Sequence, residues 1–206
     1  MTNHLKVLSV TLDTQVTATV RACNFHLQSL RQLRSSLPRD VAQSVAFVII
    51  GSRLDYCNSL YYGMSNTNFQ RLQSVQNAAA RIVCQAPRCQ HHSADLLKDL
   101  HWLPVRGRVD YEITVLCYKA VKLQQHSYLT GLLSSYRQSR VLRSSTSDLL
   151  STQSSSTNIA ARRFSCCAST AWKSLPSFIR TAHSFTSFRS HWFTRLTGQY
   201  LFARHL

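Results

Sequence analysis

Acidic residues are scarce in this sequence. Only 8 of its 206 residues are Asp or Glu, against 24 Lys or Arg, so the formal net charge is +16. The acids are also isolated. Asp95 and Asp99 share a helical face but are typical of solvated first-turn charges, and Asp110 and Glu112 are two positions apart, so they face different directions. Acid–base catalysis needs converging groups, so we expect a protein that is not an enzyme.

Glycine is rare as well, and no long apolar run occurs. The five glycines are spread singly, which excludes a glycine-rich phosphate loop. The longest apolar run, Val45–Ile50, is far shorter than the roughly 18 residues of a membrane span, and no signal segment opens the chain. We expect no cofactor, no membrane partner and no small-molecule substrate, and an intracellular location, nuclear or cytoplasmic, if the chain is expressed.

Cysteine is present in an odd number, seven, scattered along the chain. The simplest interpretation is free thiols that act as small hydrophobic side chains in a reducing compartment. One cluster, Cys84, Cys89, His91 and His92, raises a zinc hypothesis. Its spacing matches no known structural zinc site, and two adjacent histidines reach one ion with difficulty. We therefore expect no metal site.

Helical periodicity dominates the chain. Only "HLKVLSVTLD", near the N-terminus, alternates like a strand, and no second strand follows it. The expected fold class is mainly α: a compact helical bundle with one short N-terminal strand, a Ser-rich irregular linker and a small C-terminal helical segment. Apolar stripes, proline and capping residues predict helices over Thr14–Leu37, Pro38–Gly63, Ser65–Pro87, Ala94–Leu100 and a long stretch after Pro104.

The composition changes near Ser134. Ten serines occur in residues 134–156, which predicts an irregular linker, and two short helices, Ser165–Leu175 and Ser184–Leu196, are expected beyond it. The predicted organisation is a strand over 1–13, a helical bundle over 14–133, a linker over 134–164 and a basic helical segment over 165–206.

The basic residues are mostly arginine, 19 against 5 lysines. The planar guanidinium fork suits phosphate, so this bias favours nucleic acid as the partner, although a solvated surface role is the alternative for any single arginine. The candidate contacts lie off the apolar stripes, beside the proline break or around the Ser-rich segment. They are Arg21, Arg31, Arg34, Arg71, Arg81, Arg106, Arg108, Arg137, Arg140, Arg143, Arg162 and Arg163.

The stretch "HWLPV" places a histidine, an indole and a proline at a break in the helical pattern. No nucleophile or orienting acid is tied to His101 by spacing, so we assign it no catalytic role. We expect Trp102 and Leu103 to pack a helix–helix corner and Pro104 to begin the long helix. Base stacking on Trp102 is the alternative.

Several stretches together resemble one family. They are "SRLDYCNSLYYG", "RLQSVQNAAARIV", "LHWLPVRGRVDYEITVLCYKAV", "SRVLRSS" and "AWKSLPSFIR…SFRSHWF". In this order they are similar to the C-terminal part of reverse transcriptases of LINE-type (non-LTR) retrotransposons, of the jockey-like and chicken-repeat-like group. The resemblance runs from about Leu5 to Phe193, and it marks Trp172 and Pro176 as further structural positions.

The resemblance implies the thumb and the region after it, without the parts that carry the chemistry. Such polymerases use an aspartate pair in a Tyr-x-Asp-Asp turn, and no Asp-Asp occurs here. A thumb grips the template–primer duplex through phosphates, so the implied partners are RNA or an RNA–DNA hybrid, and the missing palm and fingers. The alternatives are a translated transposon relic with no selected activity, and a small protein-interaction module that uses Phe185, Phe188 and Trp192.

Overall fold

The computed structural model describes residues 4–7, 10–13, 16–87, 92–136, 149–157 and 160–199. Most of them lie in helices, which confirms the mainly α fold class. The chain divides into two compact units. Among the described residues, unit 1 comprises those up to Asn58 and those from Met64 to Arg108, and unit 2 comprises Ser59–Gly63 and Val109–Gln199.

Unit 1 contains a short hairpin and six helices, the last of which continues into unit 2. In chain order they are β1 (His4–Val7), β2 (Val10–Asp13), α1 (Thr17–Leu33), α2 (Arg39–Ala46), α3 (Ser52–Asp55), α4 (Asn66–Cys84), α5 (Ser93–Asp99) and α6 (Val105–Lys122). Helix α4 packs against α1, α2 and α5. Because α4 contacts all three, it forms the centre of the unit.

Local signals in the sequence set both ends of α4. Ser65 Oγ accepts a hydrogen bond from the Asn68 N–H at 3.4 Å, as an N-cap serine does. At the other end Gln85 adopts a left-handed conformation with φ 51°, and its N–H donates to the Ile82 carbonyl. Pro87, two residues further, has no N–H to continue the helix.

The apolar stripes of α1 and α4 supply much of the core of unit 1. Cys23, Leu27 and Leu30 are buried on α1, and Leu72 and Val75 are buried on α4. These positions recur every three or four residues, so each helix presents one apolar side to its neighbours and leaves the opposite side to solvent.

The chain turns between α5 and α6 at "HWLPV". His101 is exposed and has φ 55°, while Trp102 and Leu103 are buried. The Trp102 N–H donates to the Leu97 carbonyl at 2.8 Å. Gln76, a buried polar residue of α4, donates from Nε2 to the Leu103 carbonyl at 2.8 Å. A buried carbonyl needs a donor, and here a side chain of the central helix provides it.

Unit 2 has an aromatic core. Besides the rest of α6, its helices are α7 (Ser127–Gly131), α8 (Phe164–Ser174), α9 (Ser177–Arg180) and α10 (Phe185–Thr197). Tyr118 stacks on Phe188 with ring centroids 4.4 Å apart, and Trp172 lies 6.2 Å from the same ring. The Tyr118 hydroxyl donates to the Ala182 carbonyl at 3.1 Å, so this buried tyrosine also satisfies its polar end.

The N-terminal segment contains two strands where one was predicted. β1 and β2 pair antiparallel, with His4 opposite Asp13 and Val7 opposite Val10. The apolar alternation runs through both strands, and the sequence between them lacks the Gly or Asn that marks a hairpin turn. An isolated two-stranded hairpin is only marginally stable in water.

The helix predicted from Pro38 to Gly63 is interrupted. A π-helical turn, Phe47–Gly51, joins α2 to α3, and the chain then leaves the helix at Tyr56 and Cys57. Cys57 has φ 52°. Neither Tyr56 nor Cys57 is Gly or Pro, so the sequence has no local signal for the break.

The boundary between the two compact units falls inside α6, after Arg108. The predicted organisation, with a bundle over 14–133 and a linker over 134–164, stays a prediction. The described parts of the predicted linker, 134–164, belong to unit 2, where the backbone of Ser135 bridges that of Leu150 and a 3-10 helix spans Ala160–Arg162. Leu150 is buried, so part of this Ser-rich stretch packs within unit 2.

Candidate nucleic-acid interface

Unit 1 has an open cleft at the C-terminal ends of α1 and α4. Its volume is about 800 Å³, within the range of ligand-binding clefts. Arg31, Arg34 and Ser35 line it from α1 and the turn that follows, and Arg81 lines it from α4. Among the described residues of its wall none is acidic, and three arginines line it. The other residues of the wall are Ser74, Ala78, Ile82, Gln85, Ala86 and Pro87.

Arg34 joins the two helix ends that form this cleft. Its Nε and Nη2 atoms donate to the Val83 carbonyl at 2.9 and 2.7 Å, and Nη1 donates to the Leu37 carbonyl at 2.7 Å. Val83 lies in the last turn of α4, where carbonyls have no intrahelical partner and where a cation is favoured by the helix dipole. Arg34 therefore supports the wall of the cleft as well as adding a charge to it.

Arg31 is placed differently. It is exposed, and within the described part of the chain it makes no hydrogen bond or ion pair. An arginine has five N–H donors in a rigid fork, so all five of Arg31 are available to a ligand. Arg81 is half-buried on the opposite side of the cleft. Two predicted contacts that are 50 residues apart in sequence thus come together.

The structure gives Arg106 and Arg108 partners within unit 1. Arg106 donates from Nη2 to Asn66 Oδ1 at 2.6 Å, and its guanidinium lies 4.5 Å from the centroid of the Phe69 ring. Arg108 forms a two-point ion pair with Asp55: Nε lies 2.7 Å from Oδ1, and Nη2 contacts Oδ2. Because Asp55 neutralises it, Arg108 is a poorer phosphate contact than the cleft arginines.

Arg21 and Arg71 are exposed on the same two helices as the cleft. Each lies ten residues before a cleft arginine, Arg31 or Arg81, which is about 15 Å along a helix axis. They do not line the cleft.

The remaining candidates belong to unit 2 or lie outside the described residues. Arg162 is half-buried, and Arg163 is exposed just before α8, where its Nε donates to the Ala160 carbonyl at 3.2 Å. Neither residue lines the cleft of unit 1. The candidates outside the described residues are Arg137, Arg140 and Arg143.

The aromatic candidates are buried. Trp102 is 7% exposed and Leu103 is equally covered, so the indole offers no open face to a base, and Pro104 directly precedes α6. In unit 2, Trp172 has no exposed surface and Pro176 directly precedes α9. The burial of these side chains fits a packing role, and the arginines remain the candidate ligand contacts.

The side chains considered for a protein-interaction module also lie inward. Phe188 and Trp192 are buried in unit 2, and Phe185 is half-buried. The Lys119 ammonium and the Arg189 guanidinium lie 5.5 and 5.6 Å from the centroid of the Phe185 ring. A partner protein would find little of this apolar face accessible.

No group of three His, Cys, Asp or Glu side chains among the described residues is arranged to hold a metal ion. Two members of the zinc hypothesis, Cys89 and His91, lie outside those residues. Cys84 is half-buried, and burial raises the pKa of its thiol.

In the part of the chain that the structure describes, each helix is too short or too polar to cross a membrane.

Two features of unit 1 were not predicted from the sequence. Ser35 belongs to its wall, and the spacing of Arg31, Arg34 and Ser35, at i, i+3 and i+4, is the signal that could have grouped them. Asp55 neutralises Arg108 across 53 residues of sequence, and no local sequence pattern predicts that pair.

No protein-family model, no curated protein and no solved structure matches this chain.

Proposed function

We propose that the protein is a non-catalytic nucleic-acid-binding module that holds the sugar–phosphate backbone of RNA or of an RNA–DNA hybrid in the cleft of unit 1. One observation carries the proposal: Arg31, Arg34 and Arg81 line a cleft of about 800 Å³, and none of the described residues in its wall is acidic. A phosphate bound there would therefore be attracted by the arginine charges.

The net charge of +16 and the excess of arginine support the same partner. The likeness of the sequence to the thumb of LINE-type reverse transcriptases adds the specific class, a template–primer duplex. In that role the chain binds the duplex and catalyses no reaction. Contacts to phosphates position a nucleic acid but do not select its sequence, so we expect binding with little sequence preference.

Salt dependence of binding tests this proposal. Fluorescence anisotropy with a labelled RNA–DNA hybrid and a labelled single-stranded RNA would be measured across a range of salt concentrations. Each phosphate contact lowers log affinity by roughly 0.7–0.9 for each tenfold rise in salt. We expect a slope that corresponds to several contacts. Affinity that is the same at low and high salt would reject the proposal.

A pair of variants locates the site. Arg31→Ala removes an exposed guanidinium from the cleft and should reduce the slope by roughly 0.7–0.9. Arg195→Ala removes the same charge from an exposed position of α10, outside the cleft, and should leave the slope almost unchanged. Equal losses in the two variants would show that attraction comes from net charge alone, and the cleft would have no special role.

A further inference from the structure

Ser35 has an unusual position in the wall of the cleft. It lies in the three-residue 3-10 helix Arg34–Ser36 that follows α1, and its side chain is exposed. Within the described part of the chain, no hydrogen bond occupies its hydroxyl. The charged residues that line the cleft with Ser35 are the three arginines, so the exposed hydroxyl belongs to a wall that carries positive charge.

The other serine of the cleft, Ser74, is held in a different way. It lies in the interior of the 19-residue helix α4, and its hydroxyl donates to the Gln70 carbonyl at 2.8 Å. Opening the middle of a long packed helix costs far more free energy than opening a three-residue turn at the surface. An enzyme that must engage the backbone around a serine can therefore reach Ser35 more easily than Ser74.

We propose that Ser35 is a phosphorylation site that closes the cleft to nucleic acid, an inference that rests on the function proposed above. The co-reactants are ATP and a Ser/Thr protein kinase that accepts arginine beside its target. The γ-phosphoryl group moves from ATP to Ser35 Oγ, the bond between the β–γ bridging oxygen and the γ-phosphorus breaks, the hydroxyl proton is released, and ADP leaves.

The phosphate ester competes for the same donors as the nucleic acid backbone. It carries about −1.5 to −2 charges and three strong acceptor oxygens, and Arg31, Arg34 and Arg81 line the same cleft as Ser35. It therefore neutralises about two of the three arginine charges. The salt slope of RNA binding should fall by roughly 1.4–1.8, the value for two lost phosphate contacts.

Ser36 provides a matched control. It is the next residue, it is exposed in the same 3-10 helix, and it does not line the cleft. Phosphoserine at position 36 adds the same charge at nearly the same place in the chain. Any effect that is specific to position 35 therefore comes from the cleft.

The experiment uses the full chain with phosphoserine incorporated by genetic code expansion at position 35 or at position 36. We expect the affinity for labelled single-stranded RNA to fall about tenfold or more with phosphoserine 35, and less than threefold with phosphoserine 36. Equal affinities of the two proteins would overturn the proposal. Salt-independent binding by the unmodified chain would instead reject the function proposed above.

A second measurement does not depend on nucleic acid. In a ³¹P NMR titration, the pKa of the phosphoserine at position 35 should lie below that at position 36, because nearby guanidinium groups favour the dianion. Identical titrations would show that the phosphate does not dock among the arginines, and would overturn the proposal even if RNA binding proved weak.

A labelling experiment tests the transfer itself. After the unmodified chain is incubated with an arginine-directed kinase and magnesium ATP, peptide mass spectrometry should find phosphate on Ser35 and not on Ser74. A phosphate on Ser74 with Ser35 unmodified would contradict the accessibility argument.

Discussion

Replacing Arg34 with methionine should destabilise unit 1, although the change removes a charge from a strongly basic protein. Arg34 makes three hydrogen bonds, two to the Val83 carbonyl and one to the Leu37 carbonyl, at 2.7–2.9 Å. Methionine keeps much of the apolar stem but donates nothing. The Val83 carbonyl, in the last turn of α4, then has lost its charged donor.

The expected loss follows from those bonds. Hydrogen bonds to a charged group contribute about 1.5–3 kcal/mol, and Arg34 is half-buried, so water replaces part of what is lost. We expect a fall of about 2 kcal/mol in the free energy of unfolding. For a chain of 206 residues this corresponds to a decrease in Tm of about 4–8 °C.

Circular dichroism during thermal unfolding measures this difference. Arg31→Met is the matched control, because Arg31 lies one helical turn earlier, is exposed, and makes no hydrogen bond to another described residue. Arg34→Lys keeps the charge but cannot reach both carbonyls with one fork, so it should recover at most half of the loss. If Arg34→Met and Arg31→Met melt at the same temperature, the three hydrogen bonds contribute nothing and our account of the cleft wall is wrong.

Two further predictions concern the cores of the units. Trp172→Ala should destabilise unit 2 by about 3–5 kcal/mol, since Trp172 has no exposed surface and packs against the ring of Phe188. The aromatic near-ultraviolet circular dichroism signal of the variant should therefore be lost at a temperature below the Tm of the unmodified chain. Burial raises the pKa of the Cys23 thiol from 9.0 to about 11, so folding favours the protonated thiol. The stability that this preference gives the folded state is fully present below pH 9.0 and is lost as the pH rises toward 11. Urea titrations should therefore show that this thiol lowers the free energy of unfolding by about 1 kcal/mol between pH 8 and pH 10. The Cys23→Ala variant should lack this decrease. If its stability falls as much as that of the unmodified chain, Cys23 is not the group responsible.

The features that could be predicted from the sequence depend on neighbours in the chain. Ser65 marks the start of α4 because its side chain can cap only the helix that follows it, and Pro104 marks α6 for a similar reason. The break at Cys57 could not be predicted in this way. Its positive φ occurs in a residue that seldom adopts one, so no residue preference marks the position.

The partners of the arginines could not be predicted from the sequence either. Arg34 reaches Val83 across 49 residues of sequence, and Arg108 reaches Asp55 across 53. From the sequence alone these arginines are all candidate phosphate contacts, because the exposure and the partners of each side chain are set only when the helices pack. Packing neutralises Arg108 and leaves Arg31 open to solvent, so similar residues acquire different capacities to bind phosphate.

This difference decides which arginines should matter for binding. An arginine already paired with a carboxylate must give up that partner before it can hold a phosphate, whereas an exposed one gives up only water. Arg34 is intermediate, since it is held by neutral carbonyls that leave its charge uncompensated. We therefore expect Arg31 and Arg34 to contribute more binding energy than Arg108, and an arginine scan in which Arg108→Ala weakens RNA binding more than Arg31→Ala, at unchanged stability, would refute that order.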